Sequence, residues 1–280
     1  MTAPGSGGRL GAEVTRAIEL AHAAGKVVMA VRGGELGVEM KAGDEPVTIA
    51  DRRSSELIVA GLTAAFPGDV VISEENPDDP ARLTARRVWY VDPIDGTKDF
   101  IRGHDGFSVM IGMTEGHVPT LGVVYQPSVD RIFWATVEDG AWFQAPGDEP
   151  RRLAVSEIRT ASEIRLVASK SHRSDAIDRV KSALGIDNEL NIGSVGLKLC
   201  LIALAERDLY VNPWPKCKAW DTCAPEAILR AAGGVLTDLH GAPLRYDESY
   251  LGRLHGLVAS NGRVHADVVA RLASLFPSVP

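Results

Sequence analysis

The sequence predicts an α+β chain in two parts: helices laid on an antiparallel sheet, then a smaller α/β half. Three observations point there. Between residues 9 and 32, Leu10, Val14, Ala17, Ile18, Ala21, Ala24, Val27, Val28 and Val31 recur at helical spacing. Alternating and apolar runs at 107–114, 120–125, 131–136 and 141–143 are parted by Gly116, Pro127 and Gly140, the pattern of a meander. Beyond residue 150 the runs switch to an alternation of helix and strand.

Taken in order, the first helix stops at Gly33-Gly34. Residues 35 to 48, with Gly37, Gly43, Asp44 and Pro46, read as a short hairpin or loop. A second helix runs from about Ala50 to Phe66 and ends at Pro67-Gly68. Asp69 to Ser73 reads as a buried strand, and Val88 to Val91 as another, stopped by Asp92-Pro93. The Asp78-Asp79 pair reads as a solvated loop. Ala145 to Pro150 is the linker candidate, dividing a first half, 9–147, from a second, 151–280. In the second half, strands are expected at Ile164 to Ala168, Asp208 to Val211 and Val235 to Leu239. Helices are expected at 173–184, 194–205 and 222–232, the last ending at Gly233-Gly234. A cleft between the halves is the default binding site.

Composition narrows the function. The chain has 280 residues, is 45% apolar and 24% charged, and carries a net charge of −7, which disfavours a general binder of nucleic acid or membrane surface. Three cysteines make no disulfide framework. The longest purely apolar run, Leu199 to Ala205, is seven residues, far short of a membrane span. The start, Met1 to Gly8, has no basic region followed by an apolar stretch and reads as a frayed tail on a cytoplasmic protein.

Acidic residues stand at strand ends or turns in four places: Asp51, Glu74-Glu75, Asp92 with Asp95, and Asp221. A carboxylate at the end of a buried strand is costly unless paired, hydrogen-bonded or bound to a metal. Several converging without lysines suggest a hard cation such as Mg²⁺, which takes carboxylate, carbonyl and water oxygens. The densest segment is Asp92-Pro93-Ile94-Asp95-Gly96-Thr97. Pro93 fixes the backbone leaving the strand, so that Asp92, Asp95 and the Ile94 carbonyl can curl around one or two cations. Gly96 lets a phosphate approach, and the amides of Gly96 and Thr97 open a turn toward it.

These motifs resemble the magnesium-dependent, lithium-sensitive superfamily of inositol monophosphatases and 3′(2′),5′-bisphosphate nucleotidases. The pattern is carried by Ser73-Glu74-Glu75, by Asp92 to Thr97, and by Trp220-Asp221-Thr222-Cys223-Ala224-Pro225-Glu226. The nucleotidase branch is the better match. Lys98-Asp99-Phe100, Ser169-Lys170-Ser171-His172, Gly193-Ser194-Val195-Gly196-Leu197-Lys198 and Lys218 before the Trp-Asp pair are all close to its versions. The inositol branch carries a glutamate seven residues before the aspartate of Trp-Asp, where this chain has Trp214.

The resemblance implies a layered αβαβα sandwich of the sugar-phosphatase type. It implies two Mg²⁺ held by Glu74, Asp92, the Ile94 carbonyl, Asp95 and Asp221, with a third site near Asp51 and Glu74. Asp51, Glu74 and Thr97 would be catalytic, Thr97 orienting a water whose proton Glu74 or Asp51 takes. Asp95, Gly96, Thr97, Ser171, His172, Ser194 and Lys198 would bind the substrate, with Trp214 a platform for its base. The implied substrate is adenosine 3′,5′-bisphosphate, with inositol phosphate or another sugar phosphate as the alternative and a monomer or homodimer as the assembly. The segment Lys41 to Pro46 would be either a plain hairpin or a flap closing over the metals.

Overall fold

The structure is a computed structural model and describes residues 6–41, 45–170 and 174–277. The first helix, α1 (Gly11–Arg32), is followed by a two-stranded hairpin, β1 (Glu39–Lys41) and β2 (Glu45–Val47), and by α2 (Ile49–Ala65). Then come β3 (Val70–Ser73), β4 (Arg87–Asp95), the short α3 (Thr97–Ile101), β5 (Ser108–Glu115), β6 (Val118–Gln126), β7 (Arg131–Thr136), β8 (Gly140–Gln144) and β9 (Arg151–Arg152). The remainder is β10 (Leu166–Ser169), α4 (Asp175–Leu184), β11 (Glu189–Ile192), α5 (Val195–Ala203), β12 (Leu209–Asn212), α6 (Ala219–Ala231), β13 (Val235–Thr237), β14 (Leu257–Ser260) and α7 (His265–Leu272).

Seven strands form one sheet in chain order from β3 to β9, with β3 parallel to β4 and every later pair antiparallel. Five strands form a second, mostly parallel at one side, in the order β11-β10-β12-β14-β13. Side chains alternate across the large sheet, as the period of two requires. Val109, Ile111, Met113, Leu121 and Val123 pack with α1 and α2, whereas Met110, Val124, Phe133 and Ala135 share a core with α5 and α6. The outer face of the small sheet is covered by α4 and α7. The layers therefore run α, β, α, β, α. Both faces of the large antiparallel sheet are buried, which is why its strands read as nearly continuous apolar runs.

Two boundaries differ from the sequence expectation. β4 does not stop at Asp92-Pro93; it continues to Asp95, which pairs with Ser108 after a register shift. Pro93 lacks a backbone donor, and the bulge removes the need for one. Ala145 to Pro150 is not a linker but the turn of a hairpin, because Arg151 and Arg152 still pair with β8. Asp78 is also not merely solvated: it forms a two-pronged pair with the buried guanidinium of Arg82. No helix among the described residues is long and apolar enough to cross a membrane.

The contact that matters most for the site is that of α6 on the sheet. Gly112 of β5 and Gly122 of β6 lie directly beneath Ala224; a Cβ on Gly122 would stand 2.1 Å from the Ala224 carbonyl oxygen, and one on Gly112 would stand 2.5 Å from its nitrogen. Backbone cannot give way as a side chain can. Gly122→Ala is therefore expected to cost about 1–3 kcal/mol of stability and to lower activity by shifting Asp221. Chemical denaturation with a parallel phosphatase assay checks both, and an unchanged midpoint would contradict the close contact.

Candidate active site

The end of β4 supplies two carboxylates and a turn. Asp92 accepts from the Ile94 N–H at 3.0 Å, which folds the segment back on itself. Gly96 has φ of +95°, a region that L side chains avoid, and a Cβ there would also lie 2.8 Å from the Gly106 carbonyl oxygen. This turn starts α3 and places Thr97 between two acceptors, the Ile94 carbonyl at 3.0 Å and Asp51 at 3.3 Å.

The third carboxylate arrives from far along the chain. Asp221 lies in the first turn of α6, where it accepts the Lys218 N–H at 2.7 Å. The packing of α6 on Gly112 and Gly122 delivers it to the end of β4. One carboxylate oxygen from each of Asp92, Asp95 and Asp221 lies within 4.8 Å of the others. Glu74, just after β3, faces the same cavity but is held by the ammonium of Lys41 at 3.1 Å, which also binds Glu75 at 2.6 Å. Lys41 belongs to the hairpin, which lines part of the cavity through Lys41, Glu45 and Pro46.

Asp51 plays a local role as well. Its Oδ2 accepts from the Thr48 N–H at 2.7 Å and the Thr48 hydroxyl at 2.6 Å, closing a capping box at the start of α2. Its other oxygen faces Thr97.

Such crowding is paid for in proton affinity. Burial, with the charges of Glu74, Asp95 and Asp221, holds Asp92 well above the usual carboxylate range. Asp221 is pushed up to about 7 by burial and Asp95. Glu74 is pushed up to about 8 by burial, against the pull of Lys41. Asp51 is raised to about 6, again by burial. Asp95 is raised by burial despite Lys198 and the donors from Ser194 and Gly196. Acids this close cannot all ionise unless a cation sits among them. The donors are hard oxygens, the set that Mg²⁺ prefers. The residues present thus fit a divalent metal.

The substrate-side expectations fare differently. Ser194 is fully buried and gives its hydroxyl proton to Asp95 at 2.5 Å, so it positions a carboxylate instead of facing a substrate. Lys198, 1% exposed, lines the cavity but donates to the carbonyls of Gly193 and Ser194 at 2.6 and 2.9 Å. Burial lowers its pKa to about 8. Ser171 and His172 lie outside the described residues. Gly96, Thr97 and Asp95 line the cavity, which encloses about 490 Å³, as does Trp214, 43% exposed. Cys200, Cys217 and Cys223 are buried free thiols.

Sequence reasoning did not foresee that Lys41 would hold Glu74, nor that the Gly196 N–H would support Asp95 at 2.8 Å. Neither has a local signal, since the partners are separated by 33 and 101 positions.

A model of the inositol monophosphatase family matches residues 11–275. The chain belongs to the inositol monophosphatase family. Members of this family are metal-dependent. Within it, the chain is 38% identical over 240 residues to the 3′(2′),5′-bisphosphate nucleotidase CysQ of Salmonella typhimurium, covering 83% of this chain and 94% of that protein. It is 32% identical over 241 residues to histidinol-phosphatase of Mycobacterium tuberculosis, covering 85% and 88%. The crystal structure of CysQ from Bacteroides thetaiotaomicron superposes with a TM-score of 0.76 at 29% identity, covering 90% of this chain and 97% of that one.

Proposed function

We propose that this family member is a Mg²⁺-dependent phosphomonoesterase that hydrolyses the 3′-phosphate of adenosine 3′,5′-bisphosphate, giving AMP and phosphate. The observation that carries the reading is the convergence of Asp92, Asp95 and Asp221 in one cavity beside the Gly96-Thr97 turn. Similarity to the CysQ nucleotidases supports the substrate. So does the exposed Trp214, which offers a base an aromatic face where the inositol branch has a glutamate.

Asp92, the Ile94 carbonyl, Asp95 and Asp221, with Glu74 and a further site near Asp51, would hold two or three ions. Bound there, Mg²⁺ would neutralise phosphate charge and activate water for in-line attack. The chain's own groups do the rest. Ser194 and Gly196 hold Asp95 in place, and the Lys218 N–H does the same for Asp221. The Gly96 and Thr97 amides receive the phosphate. Thr97 has one hydroxyl proton and two acceptors, so it can hand on a hydrogen bond between them. Asp51, with its pKa near 6, suits the base that takes the water's proton. Water adds to phosphorus, the ribose oxygen leaves, and that oxygen regains a proton.

The M. tuberculosis histidinol-phosphatase, at similar coverage, favours keeping a second reading: a phosphatase for an inositol or another small phosphomonoester. Phosphate release with Mg²⁺, with and without Li⁺, separates them on adenosine 3′,5′-bisphosphate, 3′-AMP, 5′-AMP and inositol 1-phosphate. Preference for the bisphosphate with inhibition by Li⁺ is expected; faster release from inositol 1-phosphate would overturn the nucleotide reading.

A further inference from the structure

Ser108 places a hydroxyl on a face that otherwise carries hydrocarbon. It opens β5 two positions before Met110, so both side chains point toward the core shared with α5 and α6. The residue is fully buried. A hydroxyl in such a place is costly unless it is hydrogen-bonded. Its partner is the Ser194 hydroxyl, 2.9 Å away, in the loop before α5 and 86 positions further along the chain.

Either serine could donate across that contact, but the other bonds of Ser194 fix the direction. Ser194 has one proton, which goes to Asp95 Oδ2 at 2.5 Å. Its oxygen accepts the Leu197 N–H at 2.9 Å. A hydroxyl oxygen has two lone pairs, and the second is filled by the Ser108 proton. Ser108, Ser194 and Asp95 are thus joined head to tail. Inside a protein each donor in such a chain polarises the next, so the first bond strengthens the last.

The same strand seats the other donor to Asp95. A Cβ on Gly196 would stand 2.3 Å from the Met110 sulfur and 3.3 Å from the Ser108 oxygen, so the first turn of α5 rests directly on β5. From there the Gly196 N–H reaches Asp95 Oδ2 at 2.8 Å. Ser108 is also the residue opposite Asp95 in the sheet. Both donors meet the same oxygen, which leaves Oδ1 for a cation.

We propose that Ser108 is a positioning residue for the metal centre, acting on Asp95 through Ser194. This rests on the Mg²⁺ reading above. The test is calorimetric titration of the substrate-free protein with Mg²⁺, on wild type, Ser108→Ala, Ser194→Ala and the double variant, with thermal melts to confirm folding. A partner that orients a metal ligand is typically worth about 10–100-fold in affinity, so Ser194→Ala should weaken Mg²⁺ binding about tenfold and Ser108→Ala, one bond further out, about threefold to fivefold. The decisive comparison is the double variant. With Ser194 already gone, Ser108→Ala should cost no further Mg²⁺ affinity, because residues that act through one another are not additive. A side chain that only fills space would lower the melting temperature and leave the affinity unchanged. Ser108→Thr, which keeps the hydroxyl, should bind Mg²⁺ much as wild type does; should Ser194→Ala not fold, the comparison of Ser108→Ala with Ser108→Thr decides alone. Unchanged affinity in Ser108→Ala, equal losses in Ser108→Ala and Ser108→Thr, or the full Ser108→Ala loss in the Ser194→Ala background would overturn the proposal. Wild-type protein that takes up no Mg²⁺ would instead overturn the metal reading, before any variant is compared.

Discussion

Asp95→Asn should leave a folded protein with almost no phosphatase activity. Asp95 is buried at the end of β4, and one of its oxygens accepts from the Ser194 hydroxyl and the Gly196 N–H. An asparagine carbonyl can take over that oxygen's position, so the local fold survives. The amide then presents N–H groups where the cluster had an anionic oxygen, and these cannot bind a cation. A fall in kcat of at least about 10²-fold is expected, since lost ligation and lost charge stabilisation both act on the transition state. The metal-free variant should melt no lower than wild type. Its lost charge is one of those that raise the pKa values of Asp92 and Asp221, so removing it relieves repulsion. Turnover near the wild-type level would sink the assignment of this residue to the metal site.

The second large effect is a pH dependence that reverses when metal is added. Asp221, Glu74 and Asp92 bind protons more tightly in the folded chain than in the unfolded one. Glu226, buried within α6 and raised to about 7 chiefly by burial, does the same. Above the ordinary carboxylate value the folded state therefore carries more protons, and stability falls as pH rises through the folded pKa values. His22 and His265, whose pKa values are lowered by burial, oppose this only below about 6.5, the unperturbed histidine value. Lys198 opposes it only above about 8. Between pH 6.5 and 8 the metal-free Tm should thus drop by roughly 2–6 °C, which is what ~1–2 kcal/mol gives a chain of this size. Mg²⁺ binds the ionised carboxylates, so its stabilising effect should grow over the same interval. Melting curves with EDTA and with saturating Mg²⁺ at the two pH values supply the measurement. A metal-free Tm that rises with pH, or a smaller Mg²⁺ effect at pH 8, would contradict the crowding of these acids.

How far the site could be read from the sequence depended on how local each part is. Asp92 to Thr97 is legible because its function is built into six consecutive residues. Asp221 is legible through its motif, but what delivers it is not: Gly112 and Gly122 show in the sequence as glycines without naming α6 as the thing that needs the space. Ser194 illustrates the opposite problem. A serine before a helix announces a cap, and it does accept the Leu197 N–H. Its own proton goes to Asp95, 99 positions away, which no local pattern reports. The layers were legible from periodicity for the same local reason, whereas the passage of β4 through Pro93 depended on a bulge set by its neighbour strand.

The contact of α6 with Gly112 and Gly122 has a consequence for how the site tolerates change. The carboxylates on β4 and the one on α6 are held apart by the thickness of bare main chain. Side chains in the surrounding layers can change size and repack without altering that spacer. Substitutions elsewhere in the core should therefore accumulate with little loss of turnover, while the two glycines permit almost none. An engineer seeking to stabilise this protein has wide latitude in the cores around α1 and α4, and very little along one line across the middle of the large sheet.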